Sequence, residues 1–321
     1  MKGMVIIMNN PNNMIKSDRA KRNKRLNKIS VPAEVIINII LGIFCFLCVV
    51  PFIFVIIISF TSENSIRENG FSFFPAEWSL QAYQYVFDLG DQLWRSYFNS
   101  FFITIVGTLL SVLICVLYSY ALFRTDFKYR KFFTFFCFFT MLFGGGLAPT
   151  YVVSKQLLGL SNNYAAMIVP ALLSPFNVII MRTFFQTSVP TELIEAAAID
   201  GSGEYKTLFR IVIPIAKPGI ATVALLYALA YWNDWYLAML YVRDASKIPL
   251  QYLLMQTQNS VDYLLKNSSQ IGPGVVKELS KLPQDSLRMA LVVLIVIPIA
   301  CAYPFFQRYI ISGLTVGSVK G

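Results

Sequence analysis

Six apolar stretches, at about residues 35–60, 98–123, 132–153, 164–185, 219–240 and 287–303, each approach the roughly 20 residues that a bilayer core demands of a helix. A chain built this way has few options. Inside lipid every backbone N–H and C=O must find its partner within the protein, so such segments form helices. The predicted fold class is all-α: a polytopic membrane helix bundle of six transmembrane helices. Composition agrees, with 14% charged residues against about 25% in soluble domains.

The charges set the direction of threading. Lys16, Arg19, Lys21, Arg22, Lys24, Arg25 and Lys28 crowd the segment before the first span, and such a block stays in the cytoplasm. The apolar run behind it is too long for a signal-peptide core and has no small-residue cleavage site, so it reads as a retained anchor. The loop after span one is poor in basic residues and is predicted outside. Within it, residues 79–83 read as a short interfacial helix with Trp78 and Tyr83 at headgroup depth. Arg124, Lys128, Arg130 and Lys131 mark the return of span two to the inside. The polar segment 242–285 breaks the pattern, because Arg243, Lys247, Lys266, Lys277 and Lys281 lie in it. It is long, Asp244, Asp262, Glu278 and Asp285 offset it, and parity places it outside.

Both termini are then cytoplasmic, in a multi-pass protein of the plasma membrane. The chain divides into a basic tail at 1–34, a six-span domain at 35–311 and a short tail at 312–321. The net charge of +10 follows from this topology rather than from nucleic-acid binding, since no aromatic residues are interleaved with the basic tail for stacking.

Two spans carry strong breakers. Gly144-Gly145-Gly146 and Pro149 interrupt the outer third of span three, either as a pathway-lining break or as a helix end. Pro170 and Ser174-Pro175 fall within span four. Pro51, Pro298 and Pro304 read as tolerated kinks, and the phenylalanines of span three as lipid contact or packing.

Catalysis has little to work with. There is no histidine, the commonest general base and metal ligand. The phosphate-cradling pattern G-x-x-x-x-G-K-[ST] is absent, as are a Gly-x-Ser-x-Gly nucleophile and a paired-carboxylate cleft. Cys45, Cys48, Cys115, Cys137 and Cys301 all lie in apolar segments, which suits packing rather than metal or redox work. No catalytic residue, no metal site and no cofactor held by this chain is predicted, and the chain is not expected to be an enzyme.

Between spans four and five lies a short segment of different character. Glu195-Ala196-Ala197-Ala198-Ile199-Asp200-Gly201 is helical by propensity, and Gly201 is a natural stop. A second helix fits residues 204–212, and Pro214 starts a new element. Residues 191–214 therefore predict a stiff helix–turn–helix knuckle held between two spans. Glu195 and Asp200 suit charged hydrogen bonds to a partner's arginine or lysine. Ala196 and Ala197 let a groove close over the turn, and Gly201 lets the chain reverse. Taken alone, the two carboxylates also fit solvated helix-end charges.

Span five holds a second constellation: Tyr227, Tyr231, Trp232, Asn233, Asp234 and Trp235. Tyr227, Tyr231 and Asp234 fall at i, i+4 and i+7, one face of a continuous helix. Rings beside amide and carboxylate groups suit a sugar, and an ionisable group within a span usually faces a polar cavity. Equally, Trp232 and Trp235 fit an aromatic belt with Asp234 reaching headgroup water.

The spacing Glu195-Ala196-Ala197, Gly201, Ile211 and Pro214, with Ile213 where leucine is usual, resembles the coupling motif of ABC-importer permeases. Gly145-Gly146-Leu147-Ala148-Pro149-Thr150-Tyr151, Met181-Arg182-Thr183-Phe184-Phe185, Tyr231-Trp232-Asn233-Asp234-Trp235 and the tail Gly317-Ser318-Val319-Lys320-Gly321 resemble the carbohydrate-type, MalG-like group. Within that group the likeness is to permeases for complex or acidic oligosaccharides. The resemblance implies the type I ABC-importer permease fold in a bacterial membrane. It also implies a heterodimer with a second homologous permease, two ATPase subunits that bind ATP and Mg, and an extracellular solute-binding protein that delivers oligosaccharide. The residues leave two alternatives: import of another polar solute, and an ATP-independent channel or secondary transporter.

Overall fold

The computed structural model describes residues 31–266 and 283–318. The basic residues 16–28, Lys277 and Lys281 of the 242–285 segment, and the end of the C-terminal tail lie outside them. The chain forms two compact units, Met1–Val55 and Ile56–Gly321. In the first, the described residues belong to helix α1 (Val31–Ser59), which carries Pro51 and exposes Ile39, Phe46 and Phe52 as a lipid-facing span does.

The second unit is built around α2 (Asp91–Phe123), a helix of 33 residues. Further along come α3 (Arg130–Leu142), α4 (Pro175–Ser188), α5 (Thr191–Ile199), α6 (Glu204–Thr207) and α7 (Lys217–Trp232). After them stand α8 (Leu250–Lys266) and α9 (Gln284–Ser318). The core runs where α2 meets α7 and α4, with α9 closing the far side of α7.

Among the described residues, three helices are long and apolar enough to cross a bilayer, and three bent helix pairs bring the count to as many as six spans. The bends fall at the breakers. After α3 the chain turns by 113° through Gly144–Gly146 into Leu147–Leu157, with Gly146 at φ +83°. Only glycine adopts that backbone without cost. The third span is therefore a helix of 13 residues, about 20 Å long by its rise per residue, followed by a sharp turn. Span four bends by 53° between Ala165–Ala171 and α4.

Two expectations need correcting. The segment 242–285 is not simply a polar loop, since it contains α8, which packs on α2 and α9. The short helix after span one is Gln81–Phe87. Its Tyr83 lies against Phe60, ring centroids 4.8 Å apart, and its hydroxyl meets Ser59 Oγ at 2.8 Å, so it packs the helix on the end of α1. Trp78 is exposed.

Side chains stitch neighbouring ends of these helices together. Asn99 Nδ2 donates to the carbonyls of Ser246 and Ile248 (2.8 and 3.1 Å), and its Oδ1 accepts from Tyr164 (2.8 Å). The buried Glu63 carboxylate accepts from the N–H of Ser286 (3.3 Å) and its hydroxyl (3.0 Å). Glu63 thereby accepts from first-turn N–H groups of α9, the end of a helix that favours a carboxylate.

The α2–α7 seam depends on a small residue. A Cβ at Gly107 would lie 2.7 Å from Cζ of Tyr231, well inside contact distance. Gly107→Ala is expected to cost about 1–3 kcal/mol, as overpacking does in a filled core. Thermal unfolding of the purified protein should show a lower midpoint; an unchanged midpoint would mean the seam yields freely.

Candidate functional site

The predicted knuckle is formed. Pro190 separates α4 from α5, and Ile194 and Ala197 face inward while Glu195, Ala196 and Asp200 are exposed. The end of α5 closes in a Schellman arrangement: Ser202 N–H donates to Ala197 O (2.9 Å) and Gly201 N–H to Ala198 O (3.1 Å). This closure puts Gly201 at φ +69°, which favours glycine. The second arm is α6, a wide π turn at Leu208–Val212 and a short helix at Ile213–Ile215, before an 84° bend into α7. A cavity of about 430 Å³ beside α5 has Glu195 on its lining.

A clamp that the sequence pattern did not reveal holds this second arm to the end of α2. Glu204 Oε1 accepts from Arg124 Nη2 (2.8 Å) and Oε2 from the Tyr120 hydroxyl (2.8 Å). Arg124 also grips Asp126 with two donors, at 3.0 and 2.7 Å. The only cue was a cation closing span two and an acid opening α6, and the two are 80 residues apart. The Arg124 guanidinium holds the Asp126 carboxyl below the usual carboxylate range. A lowered folded value stabilises above the unfolded value of about 3.9 and is lost as pH falls through the folded one, so the Arg124–Asp126 pair is intact at neutral pH. Beyond it, Ile199 and Tyr205 stand 86% and 77% exposed, apolar surface that a partner would cover.

The span-five constellation separates into two groups. Tyr227 and Tyr231 are 2% and 4% exposed, and Trp232 is buried with Nε1 donating to Ile295 O (3.3 Å). The shared face expected for Tyr227, Tyr231 and Asp234 is not there, because α7 ends at Trp232. Asp234 lies in the break, where its Oδ1 accepts from the N–H groups of Tyr236 (2.8 Å) and Leu237 (3.1 Å) and starts the helix Tyr236–Tyr241. Asn233 is exposed, and Asp234 and Trp235 are half-buried.

The two tyrosines close the backbone at the bend of span four. Tyr227 Oη accepts from Ser174 N–H (3.0 Å), and the Tyr231 hydroxyl donates to Ile168 O (3.1 Å) while meeting Ser111 Oγ at 2.9 Å. Ser174 N–H and Ile168 O flank the irregular turn that Pro170 and Pro175 impose. Among the described residues, no group of three His, Cys, Asp or Glu side chains is placed to hold a metal.

The family model of the binding-protein-dependent transport system inner membrane component matches residues 17–316. The polygalacturonan/rhamnogalacturonan transport system permease protein YtcP of Bacillus subtilis is 39% identical over 278 residues, 87% of this chain and 94% of that protein. The arabinooligosaccharides transport system permease protein AraQ of Halalkalibacterium halodurans is 33% identical over 284 residues, 86% of this chain and 92% of that protein. A crystal structure of a bacterial ABC transporter that imports the acidic polysaccharide alginate contains a chain with TM-score 0.72 and 30% identity. That match covers 86% of this chain and 95% of the other.

The tyrosine hydroxyls offer a direct check on their backbone role. Tyr231→Phe leaves a buried carbonyl, and Tyr227→Phe a part-buried N–H, short of a hydrogen bond, at an expected cost of about 1–3 kcal/mol each. Both should lower the thermal midpoint of the purified protein. A midpoint equal to wild type in both would remove the tyrosines from the support of the bend.

Proposed function

This chain belongs to the binding-protein-dependent transport system inner membrane component family, and on that premise we propose that it is the membrane-spanning subunit of an ATP-driven oligosaccharide importer. The observation that carries the mechanism is the knuckle of residues 191–214, a capped helix–turn–helix fastened to α2 and continuous with α7. The solute class follows from relatives that carry polygalacturonan, rhamnogalacturonan and arabinooligosaccharides.

In this reading a second, homologous permease completes the pathway as a heterodimer, and a solute-binding protein delivers ligand from outside. Two ATPase subunits dock beneath and supply ATP and Mg chemistry. Both termini and the knuckle face the cytoplasm, consistent with Arg124, Lys128, Arg130 and Lys131 at the same end of the bundle. The ATPase groove takes Glu195 through Gly201: Glu195 and Asp200 offer charge, Ala196 and Ala197 allow close approach, and exposed Ile199 and Tyr205 supply apolar contact.

Closure of the ATPase dimer on ATP then draws the knuckles together. Burial of Ile194 and Ala197 and the Glu204 clamp pass that movement into α4, α2 and α7 rather than letting the loop flex alone. The bundle rocks between inward- and outward-open states around its pathway. Of the span-five residues, Asn233, Asp234 and Trp235 at the break are the proposed contacts to sugar. Tyr227, Tyr231 and Trp232 frame them.

Reconstitution of the complete transporter in proteoliposomes tests the coupling role. Glu195→Lys is expected to reduce ATP-driven uptake of labelled oligosaccharide by about tenfold or more, the loss of one charge-assisted contact, while membrane insertion is unaffected. Wild-type uptake in this variant would contradict the docking assignment.

A further inference from the structure

The end of the bundle that carries the knuckle also holds a cationic cavity, which shares Thr125, Asp126 and Arg130 with the cavity beside Glu195. It is about 720 Å³ in volume and lies between the start of α3 and the middle of α4. Lys128, Arg130, Lys131 and Arg182 line it, with Asp126 as its one acidic residue. Both oxygens of Asp126 already accept from Arg124, outside the cavity lining. The lining is therefore strongly basic.

Two of its polar atoms are buried and lack a hydrogen-bond partner: Arg182 Nε and Thr134 Oγ1. Buried donors are rarely left this way, because each costs free energy until something accepts from it. An oxyanion in the cavity would bring acceptor oxygens to both residues. The planar guanidinium of Arg182 suits a phosphate in particular, since it can offer two parallel donors. Arg130 keeps its fork near by, with Nε fixed on Leu122 O at 2.9 Å.

The wall of the cavity also shows where the anion comes from. Phe135 lines it and is 66% exposed, and Phe132 and Phe136 continue that exposed apolar surface along α3. A soluble anion has no use for such a wall; an acyl chain does. Clusters of basic residues beside a span attract anionic headgroups of the adjacent leaflet.

We propose that this cavity binds the phosphate of an anionic phospholipid, with Arg182, Arg130 and Lys131 on the headgroup and an acyl chain along the phenylalanines of α3. Thr134 Oγ–H donates to the same phosphate. The leaflet is the cytoplasmic one, and in that respect the site rests on the orientation given above. Lipid seated there would brace α3 against α4, next to the clamp on the knuckle.

The test uses the complete transporter in nanodiscs of phosphatidylcholine with a minor share of phosphatidylglycerol, released for native mass spectrometry. Wild type is expected to retain phosphatidylglycerol that Arg182→Gln loses, with apparent affinity weakened by about tenfold or more, the scale of one charge-assisted hydrogen bond. Thr134→Val, close in shape, should weaken retention to a smaller degree and stands in if Arg182→Gln fails to assemble. Equal retention in wild type and both variants would overturn the site. Displacement of the lipid by millimolar inorganic phosphate would show a free-anion site instead and overturn the lipid assignment. Retention by the permeases only after the ATPases are stripped off would make the cavity a protein contact, and would overturn it too. Each readout is independent of uptake, so the importer reading stands or falls separately.

Discussion

In an apolar solvent a helix cannot bend without exposing its backbone, and the arrangement of this bundle follows from how that exposure is repaired. Span four bends by 53° because Pro170 and Pro175 cannot sustain its hydrogen bonds. An unpaired N–H or C=O there would cost several kcal/mol in hydrocarbon. Tyr227 and Tyr231 reach across from α7 to Ser174 N–H and Ile168 O, and so fix the bend, its angle and the distance between two spans at once. Gly107 makes room for the second ring, while Ser111 uses its hydroxyl. The seam between α2, α4 and α7 is thus one polar and steric unit. The break itself is the reason the seam is needed.

That seam gives the knuckle something stiff to act on. The helix α5 is short, and a helix of nine residues is not stable alone. It is held by Ile194 and Ala197 against the bundle and by the Schellman closure at Gly201. The second arm is fastened by Glu204 to both Tyr120 and Arg124. Exposed ion pairs are weak, and Glu204 is 58% exposed, so the clamp works as a geometric restraint more than as a source of stability. Its value lies in sharing its fold with α2, which also forms the seam. In the proposed mechanism, work delivered to the knuckle has a short, packed route into α2 and the seam.

Much of this was legible in the sequence, for reasons that are local. Apolar length marked the spans, glycine and proline marked the bends at Gly144–Gly146 and Ser174–Pro175, and Gly201 announced the turn of the knuckle. What stayed hidden was the partner of each polar group. A tyrosine pair on one helix face reads the same whether it faces a sugar or a bent backbone, and only the neighbouring span decides. Asp234 was placed on a helix that stops two residues earlier, because Asp234 itself starts the next one. The clamp joins residues 80 apart, and the Glu63 cap of α9 joins residues 223 apart. No spacing rule reaches so far. The helix α8 was missed because its polar face outweighs its apolar one in composition, although its apolar side packs on α2 and α9.

The central claim is that the knuckle moves as a body fixed to the Phe123 end of α2 when the proposed partner ATPases close. Pulsed electron resonance on the reconstituted transporter measures this most directly, with one spin label at Ile199 and one on the matching helix of the second permease. ATP should shorten that distance while leaving the distance from Ile199 to a label at Thr125 unchanged. A constant separation between the two knuckles, or a knuckle that shifts relative to α2, would contradict rigid transmission.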